Sequence, residues 1–523
     1  MKEKAIKYYN EIKKFYTYNK KWLFSVLIIS FLVYGVKISH YSIGIDTEKT
    51  INDINFYHRF WLGLGRWSVV IFGKFFYYPN RYNPFITSLL IPIFLSFFVF
   101  LMSYLFCKIV NKRKYDKYII LFLGSIILTS PAILEMMNFL LMSAEFSLGF
   151  VFLGISVILT YFSIYIKSKS KILMTLKFLL TICFLSLTFG FYQAFFQLYI
   201  GLVAIMFIFE KNFSSNDRTL KNDMMIICKM ICIFLTSLLL WKFITFCFKN
   251  LYNLPTSSYL SDQITWGKIS VNDSIQNILD FIKSIIFPNI KNSLYNYSYF
   301  IIIVLSVIFI IKKMKNEKKF PLIYFISLLF ILISPFIISI ILGYGVANRV
   351  MINIPVVVAC IFVLFFTDKY TSIYEKYILC FLVIFTFLIQ FKTSYDLLYS
   401  DFIRYDEDKR LIQDIFIKVD MLEGLNGNRE KKKIIFTSAH SSKSPGASFK
   451  GDCMGYSFFE WDLGSPLSNN DRIFGLAKTM GYRYIMPTSK DIKKAQKISK
   501  SMNSYPDKGS IIINNNNVIV KLS

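Results

Sequence analysis

Residues 85–110 read FITSLLIPIFLSFFVFLMSYLFCKIV and residues 118–141 read YIILFLGSIILTSPAILEMMNFLL, with only NKRKYDK, residues 111–117, between them. A helix needs roughly 20 apolar residues to cross the hydrocarbon of a bilayer, and both runs meet that length. The basic linker has the composition of a short loop held on the cytoplasmic side, where Lys and Arg collect. Two crossings joined by a basic turn decide the fold class, and the rest of the chain repeats the pattern.

Working outward, further apolar runs lie at 22–38, 146–166, 172–188, 191–209, 225–247, 297–312, 320–342, 351–367 and 377–392. The chain is thus expected to be an all-α polytopic membrane protein with about eleven transmembrane helices. With the Lys-rich head (Lys2, Lys4, Lys7, Lys13, Lys14, Lys20, Lys21) in the cytoplasm, alternation puts every basic loop inside: 111–117, 167–171, 210–222, 312–319 and 368–376. The outer side then receives residues 38–84, 251–296, 343–349 and everything after 392. The first run is read as a retained helix, since no small-residue cleavage pattern follows it. The short apolar stretch 68–76 contains Lys74 and is assigned to the interface. Pro131 interrupts the run 118–141, so a kink is expected there, with the freed backbone groups partnered inside the protein.

Composition agrees. The 523 residues are 55% hydrophobic with a mean hydropathy of +0.48, more apolar surface than one soluble core requires. Tyr outnumbers Trp by 34 to 6, and many Tyr flank the apolar runs, at headgroup level. The net charge of +28 sits in the short loops, where it sets topology, so a nucleic-acid partner is not expected. Seven of the eight Cys lie in apolar runs, leaving Cys453, and no disulfide framework follows.

From 393 to 523 the chain turns polar. A helix is expected over 404–419, strands at 433–437 and 484–486, helices at 471–480 and 491–502, and a hairpin of 511–513 with 518–520 across 514–517. This divides the protein into a membrane portion, 1–392, with a first outer loop at 38–84, and a small extracytoplasmic α/β domain, 393–523.

The first outer loop concentrates chemistry: Ser42-Ile43-Gly44-Ile45-Asp46-Thr47-Glu48, then Trp61-Leu62-Gly63-Leu64-Gly65-Arg66-Trp67. A carboxylate at a membrane surface suits a general base on a hydroxyl, and an arginine suits a phosphate. The plainer alternative is a pair of solvated loop acids and a snorkelling arginine. Glu135 and Glu145 are the other acids to weigh, at the mouth of a cavity in contact with an acceptor or paired with arginine for structure. The three His lack metal-ligand spacing, and no metal site is expected.

The stretch 41–67, with Gly65-Arg66-Trp67 and the mid-chain Tyr192-Gln193 pair, resembles the bacterial glucosyltransferase II family, enzymes of the O-antigen type that decorate extracytoplasmic polysaccharides. The resemblance implies the type C glycosyltransferase architecture, a plasma-membrane location and an outward-facing site. The implied reaction moves a hexosyl unit, expected to be glucose, from an undecaprenyl phosphate sugar donor to an extracytoplasmic cell-surface glycan, with inversion. On that view Asp46 is the general base, and Glu48 shares the task or orients the acceptor. Arg66, and by inference Arg349, bind the donor phosphate. Trp67, Tyr192, Gln193, Glu135 and Glu145 are candidates for substrate contact. For Arg349 the alternative is a helix anchor, and for Tyr192 and Gln193 it is helix bridging. Some type C enzymes use a divalent ion, but the one acid pair does not require it, so no cofactor is expected. The rival functions are a lipid-linked sugar flippase or transporter, which would show repeats and charges deep in several spans, and a polysaccharide polymerase or ligase, which would work through loop 251–296.

Overall fold

The computed structural model describes residues 2–76, 83–166, 170–213, 218–254, 262–289, 294–317, 322–423, 433–514 and 517–522, and side chains from Tyr8 onward. Parts of five basic or outer loops (77–82, 167–169, 214–217, 318–319, and 255–261 with 290–293), the start of the run 320–342 and the turn at 515–516 lie outside these residues. The chain forms two compact units: residues 1–39, 58–137 and 142–394, and residues 40–57, 138–141 and 395–523.

The first unit is helical. Among the described residues eight helices are long and apolar enough to cross a membrane: Tyr8–Ser39, Pro84–Val110, Ser143–Ile164, Lys171–Phe189, Ala194–Phe213, Leu220–Leu251, Leu322–Leu342 and Ile373–Leu422. Local chemistry sets their ends. Asn83 accepts from the backbone N–H groups of Phe85 and Ile86 ahead of Pro84, and Asn111 closes the same helix in the left-handed region. Small residues permit close approach: a Cβ on Gly124 would lie 2.5 Å from Val26 Cγ2.

Two interruptions show how freed backbone is satisfied where water is absent. The run 118–141, expected as one kinked span, is divided: a helix Asp116–Leu128 stops, and Pro131 opens a second helix, Pro131–Met136. At the gap the Ser394 hydroxyl donates to the Thr129 carbonyl at 2.8 Å, and the Thr129 hydroxyl approaches Gln390 Oε1 at 3.0 Å. The proline takes the N1 position, where its missing N–H costs nothing, so the chain restarts instead of bending. Around Pro335 the helix narrows to a 3-10 turn, Ser334–Phe336. There the Ser334 hydroxyl donates to the Ile331 carbonyl at 2.8 Å, and Ile338 N–H donates to Gln197 Oε1 at 3.4 Å.

The second unit holds a three-stranded sheet ordered β1-β3-β2, with β1 Lys433–Thr437, β2 Ile511–Asn514 and β3 Asn517–Lys521. β1 runs parallel to β3, Ile435 opposite Ile519, and β2 antiparallel to it. Alternation along β1 sends Ile434 and Phe436 to one face and Ile435 to the other. The first face packs on Ile412, Ile415, Phe416 and Val419, and on Ile473 and Leu476 of the helix Asn470–Thr479. The second packs on Ile492 and Ala495 of the helix Ser489–Ile498, whose Thr488–Asp491 capping box sets its start.

Three elements differ from those expected. The helix expected over 404–419 is the end of one continuous helix, Ile373–Glu423, because no glycine or proline stands anywhere between its ends. Tyr484–Met486 contributes a single bridge, Ile485 to Lys433, instead of a strand. The helix expected over 491–502 is Ser489–Ile498 followed by a 3-10 turn, Ser499–Ser501. Finally, Ile43 and Ile45, at 5% and 4% exposure, are part of the first-face core, so residues 40–57 fold with the C-terminal ones. Burying each such side chain stabilises by roughly 1.5–3 kcal/mol.

Candidate functional site

In the second unit the stretch Ser42–Glu48 is tied down residue by residue. The Ser42 hydroxyl donates to Asp401, whose other oxygen accepts from Gly455 N–H at 3.1 Å and pairs with Arg404 at 2.7 Å. Gly44 faces Asn138, where a Cβ would meet Nδ2 at 2.7 Å. Thr47 N–H closes a turn onto the Gly44 carbonyl at 3.1 Å, and Asp46 between them takes φ 73, the left-handed region. A short helix, Thr47–Asn52, follows and packs on the helix Asn470–Thr479. Asn52 Nδ2 donates to the Gly475 carbonyl at 2.8 Å, and Lys49 pairs with Asp471.

That docking brings three carboxylates to one guanidinium. Arg472 Nη1 lies 2.8 Å from Asp46 Oδ1 and 2.8 Å from Glu48 Oε1, and Nε lies 2.6 Å from Asp462 Oδ2. The Glu48 side chain is fully buried, whereas that of Asp46 is 44% exposed. Burial pushes the Glu48 carboxyl up to about 7, against the pull of Arg472. Burial works against the Arg472 cation, but Asp46 and Glu48 outweigh it and hold it charged. The Tyr57 hydroxyl is raised by burial and then by Asp46 and Glu48. The arrangement is one accessible carboxylate and one buried carboxyl on a permanent cation: a proton acceptor at the surface with a fixed counter-charge behind it. Arg472 is the residue sequence reasoning missed. It falls in an expected helix with no motif around it, 424 positions from Glu48.

In the first unit the two motifs singled out by sequence come together. Gly65 sits at φ 79, and its carbonyl accepts from Trp241 Nε1 at 2.9 Å. Gln193 grips the turn twice: Nε2 donates to the Leu64 carbonyl at 2.7 Å, and Oε1 accepts from Arg66 Nε at 3.1 Å. The Arg66 guanidinium lies over the Tyr192 ring at 4.8 Å. Trp67 is buried and stacks on Phe248. Glu135 is buried in the helix Pro131–Met136, against which the 3-10 turn Asn348–Val350, containing Arg349, packs. Glu145, in the first turn of Ser143–Ile164, is fully buried, and among the described residues neither of its oxygens has a hydrogen-bond partner. Among the described residues no group of three or more His, Cys, Asp or Glu side chains is arranged to hold a metal ion.

The eight long apolar helices among the described residues, with acidic and arginine clusters outside their apolar stretches, define a polytopic membrane protein. The family model described as Glucosyl transferase GtrII matches residues 35–366, and the chain belongs to that family; it is a membrane glycosyltransferase. The match takes in Asp46, Glu48, Arg66, Trp67, Tyr192, Gln193 and Arg349 and ends before Arg472. No curated protein and no solved structure matches the chain.

Proposed function

We propose that this protein transfers a glucosyl unit from an undecaprenyl phosphate carrier to an extracytoplasmic cell-surface glycan, on a type C scaffold with eleven crossings. The N-terminus lies in the cytoplasm of a bacterial cell and the C-terminal residues outside, as the inside placement of every basic loop supports. The three crossings beyond the eight long helices are the divided run 118–141, the run 297–312, helical from Ser298 in the helix Ser298–Glu317, and 351–367, helical over Asn353–Thr367.

Asp46 takes the proton from an acceptor hydroxyl, the hydroxyl oxygen bonds to the anomeric carbon, and the carbon–oxygen bond to phosphate breaks with its electron pair on the polyprenyl phosphate. Attack opposite the leaving group inverts the anomeric centre. Arg66 and Arg349 are the cations assigned to the donor phosphate, whose charge grows as the bond breaks. The observation that carries this reading is Asp46: a solvent-accessible acid, within the region matched by the family, held beside a cation in a conformation few non-glycine residues adopt.

The test is transfer of labelled glucose from synthetic polyprenyl phosphate glucose to cell-wall glycan, in membranes containing the wild type or Asp46→Asn. Transfer by the wild type, reduced about 100-fold or more in the variant, is expected for loss of a general base. Failure of both proteins with this donor and with other polyprenyl phosphate sugars would overturn the proposal.

A further inference from the structure

Beyond the family match, a single arginine organises the acids on which the proposed reaction depends. We propose that Arg472 is a positioning residue for the transfer: its guanidinium holds Asp46 and Glu48 in one arrangement, making the C-terminal residues part of the acid site. This rests on the reading of Asp46 as general base.

Three observations support it independently. The guanidinium is held from two edges, Nη1 by Asp46 and Glu48 and Nε by Asp462, so its plane is defined before substrate arrives. Asp46 occupies the left-handed region without capping the helix it precedes; its side chain makes no bond to that helix and contacts Arg472 instead. Aspartate adopts that region readily, and here it turns the carboxylate away from the helix start and onto the guanidinium. The Glu48 stem fits against Gly475, where a Cβ would lie 2.7 Å from Glu48 Cγ, so the helix carrying Arg472 also fixes the depth of Glu48. An arginine placed only to neutralise charge would need neither the second edge nor the glycine three residues on.

The charged and titratable groups around Glu48 are Arg472, Asp46, Tyr57, Lys49, Asp471 and Asp462. Removing the cation leaves Asp46 and Glu48 facing each other without compensation. Without the pull of Arg472 the buried Glu48 carboxyl keeps its proton to higher pH, and activity is lost from the acid side of the pH range first.

The experiment uses the full-length protein in membranes, with polyprenyl phosphate glucose as donor and cell-wall glycan as acceptor, comparing Arg472→Met, Arg472→Lys, Asp462→Asn and Asp46→Asn. Arg472→Met is expected to lower kcat about 100-fold with donor KM within about threefold, and to move the acid limb of the pH–rate profile upward. Arg472→Lys should return part of the rate and most of the acid limb, since it restores the charge without the fork. A kcat for Arg472→Met within about threefold of wild type, while Asp46→Asn is inactive, sinks this inference alone. Full activity of Asp46→Asn sinks the base reading beneath it. Should Arg472→Met fail to accumulate, the other two decide: reduced kcat in both Arg472→Lys and Asp462→Asn supports the positioning role, and wild-type kcat in both overturns it.

Discussion

Replacing Glu48 by Gln isolates the cost of burying an ionisable acid in this site. When the helix Thr47–Asn52 is undocked, Glu48 loses its proton near the ordinary 4.5; docked, it keeps it to about 7. Below 4.5 both states are protonated and docking carries no charge penalty. Between 4.5 and about 7 only the undocked state ionises, so docking weakens as pH rises and levels off above about 7. Across that interval, at about 1.36 kcal/mol per pH unit, the loss is about 3 kcal/mol, or roughly 300-fold in the opening equilibrium. Glutamine has the same shape, still offers an oxygen to Arg472 Nη1, and does not titrate. Hydrogen exchange of the backbone amides in Thr47–Asn52 and Asn470–Thr479, taken as the ratio of variant to wild type at each pH, removes the intrinsic pH dependence of exchange. The ratio of protection should be near one at pH 4 and favour Glu48→Gln by about two orders of magnitude at pH 8. A ratio constant across that range would refute the assignment of burial as the dominant influence on Glu48.

Two further outcomes follow from the first unit. Gly65→Ala forces an L side chain into φ 79 and sets its Cβ 2.7 Å from Trp241 Cζ2. Left-handed strain and overpacking together should cost about 2–4 kcal/mol, seen as a lowered unfolding midpoint of the detergent-solubilised protein; an unchanged midpoint would count against the close approach. Gln193→Leu removes the acceptor of Arg66 Nε and the donor to the Leu64 carbonyl. Donor KM should rise about tenfold with a smaller change in kcat, and an unaltered KM would exclude Arg66 from donor binding.

The long apolar helices, the break near Pro131 and the elements of the C-terminal sheet were legible because each is written locally. Hydropathy over a window of residues, a proline without its N–H and alternation along Lys433–Thr437 act within one element. Asp46 and Glu48 stood out as candidates for the same reason: acids beside a membrane segment are conspicuous among apolar neighbours. The grouping of residues 40–57 with 395–523 was not, since Ile43 and Ile45 look like any apolar pair until a sheet face is present to receive them. Tyr192-Gln193 and Gly65-Arg66-Trp67 stood out separately, but nothing in either says that the amide ends 3.1 Å from the guanidinium.

By itself the sequence determined that this chain crosses a membrane repeatedly and which loops are basic, because transfer of side chains to lipid is nearly additive and does not depend on the partners a residue later meets. Only the tertiary structure decided that Glu48 is buried and Asp46 accessible, that Gly475 leaves room for the buried acid, and that Arg472 is their shared cation. An ion pair bridging more than four hundred positions is set by the path of the chain, and its energy by the water that path excludes.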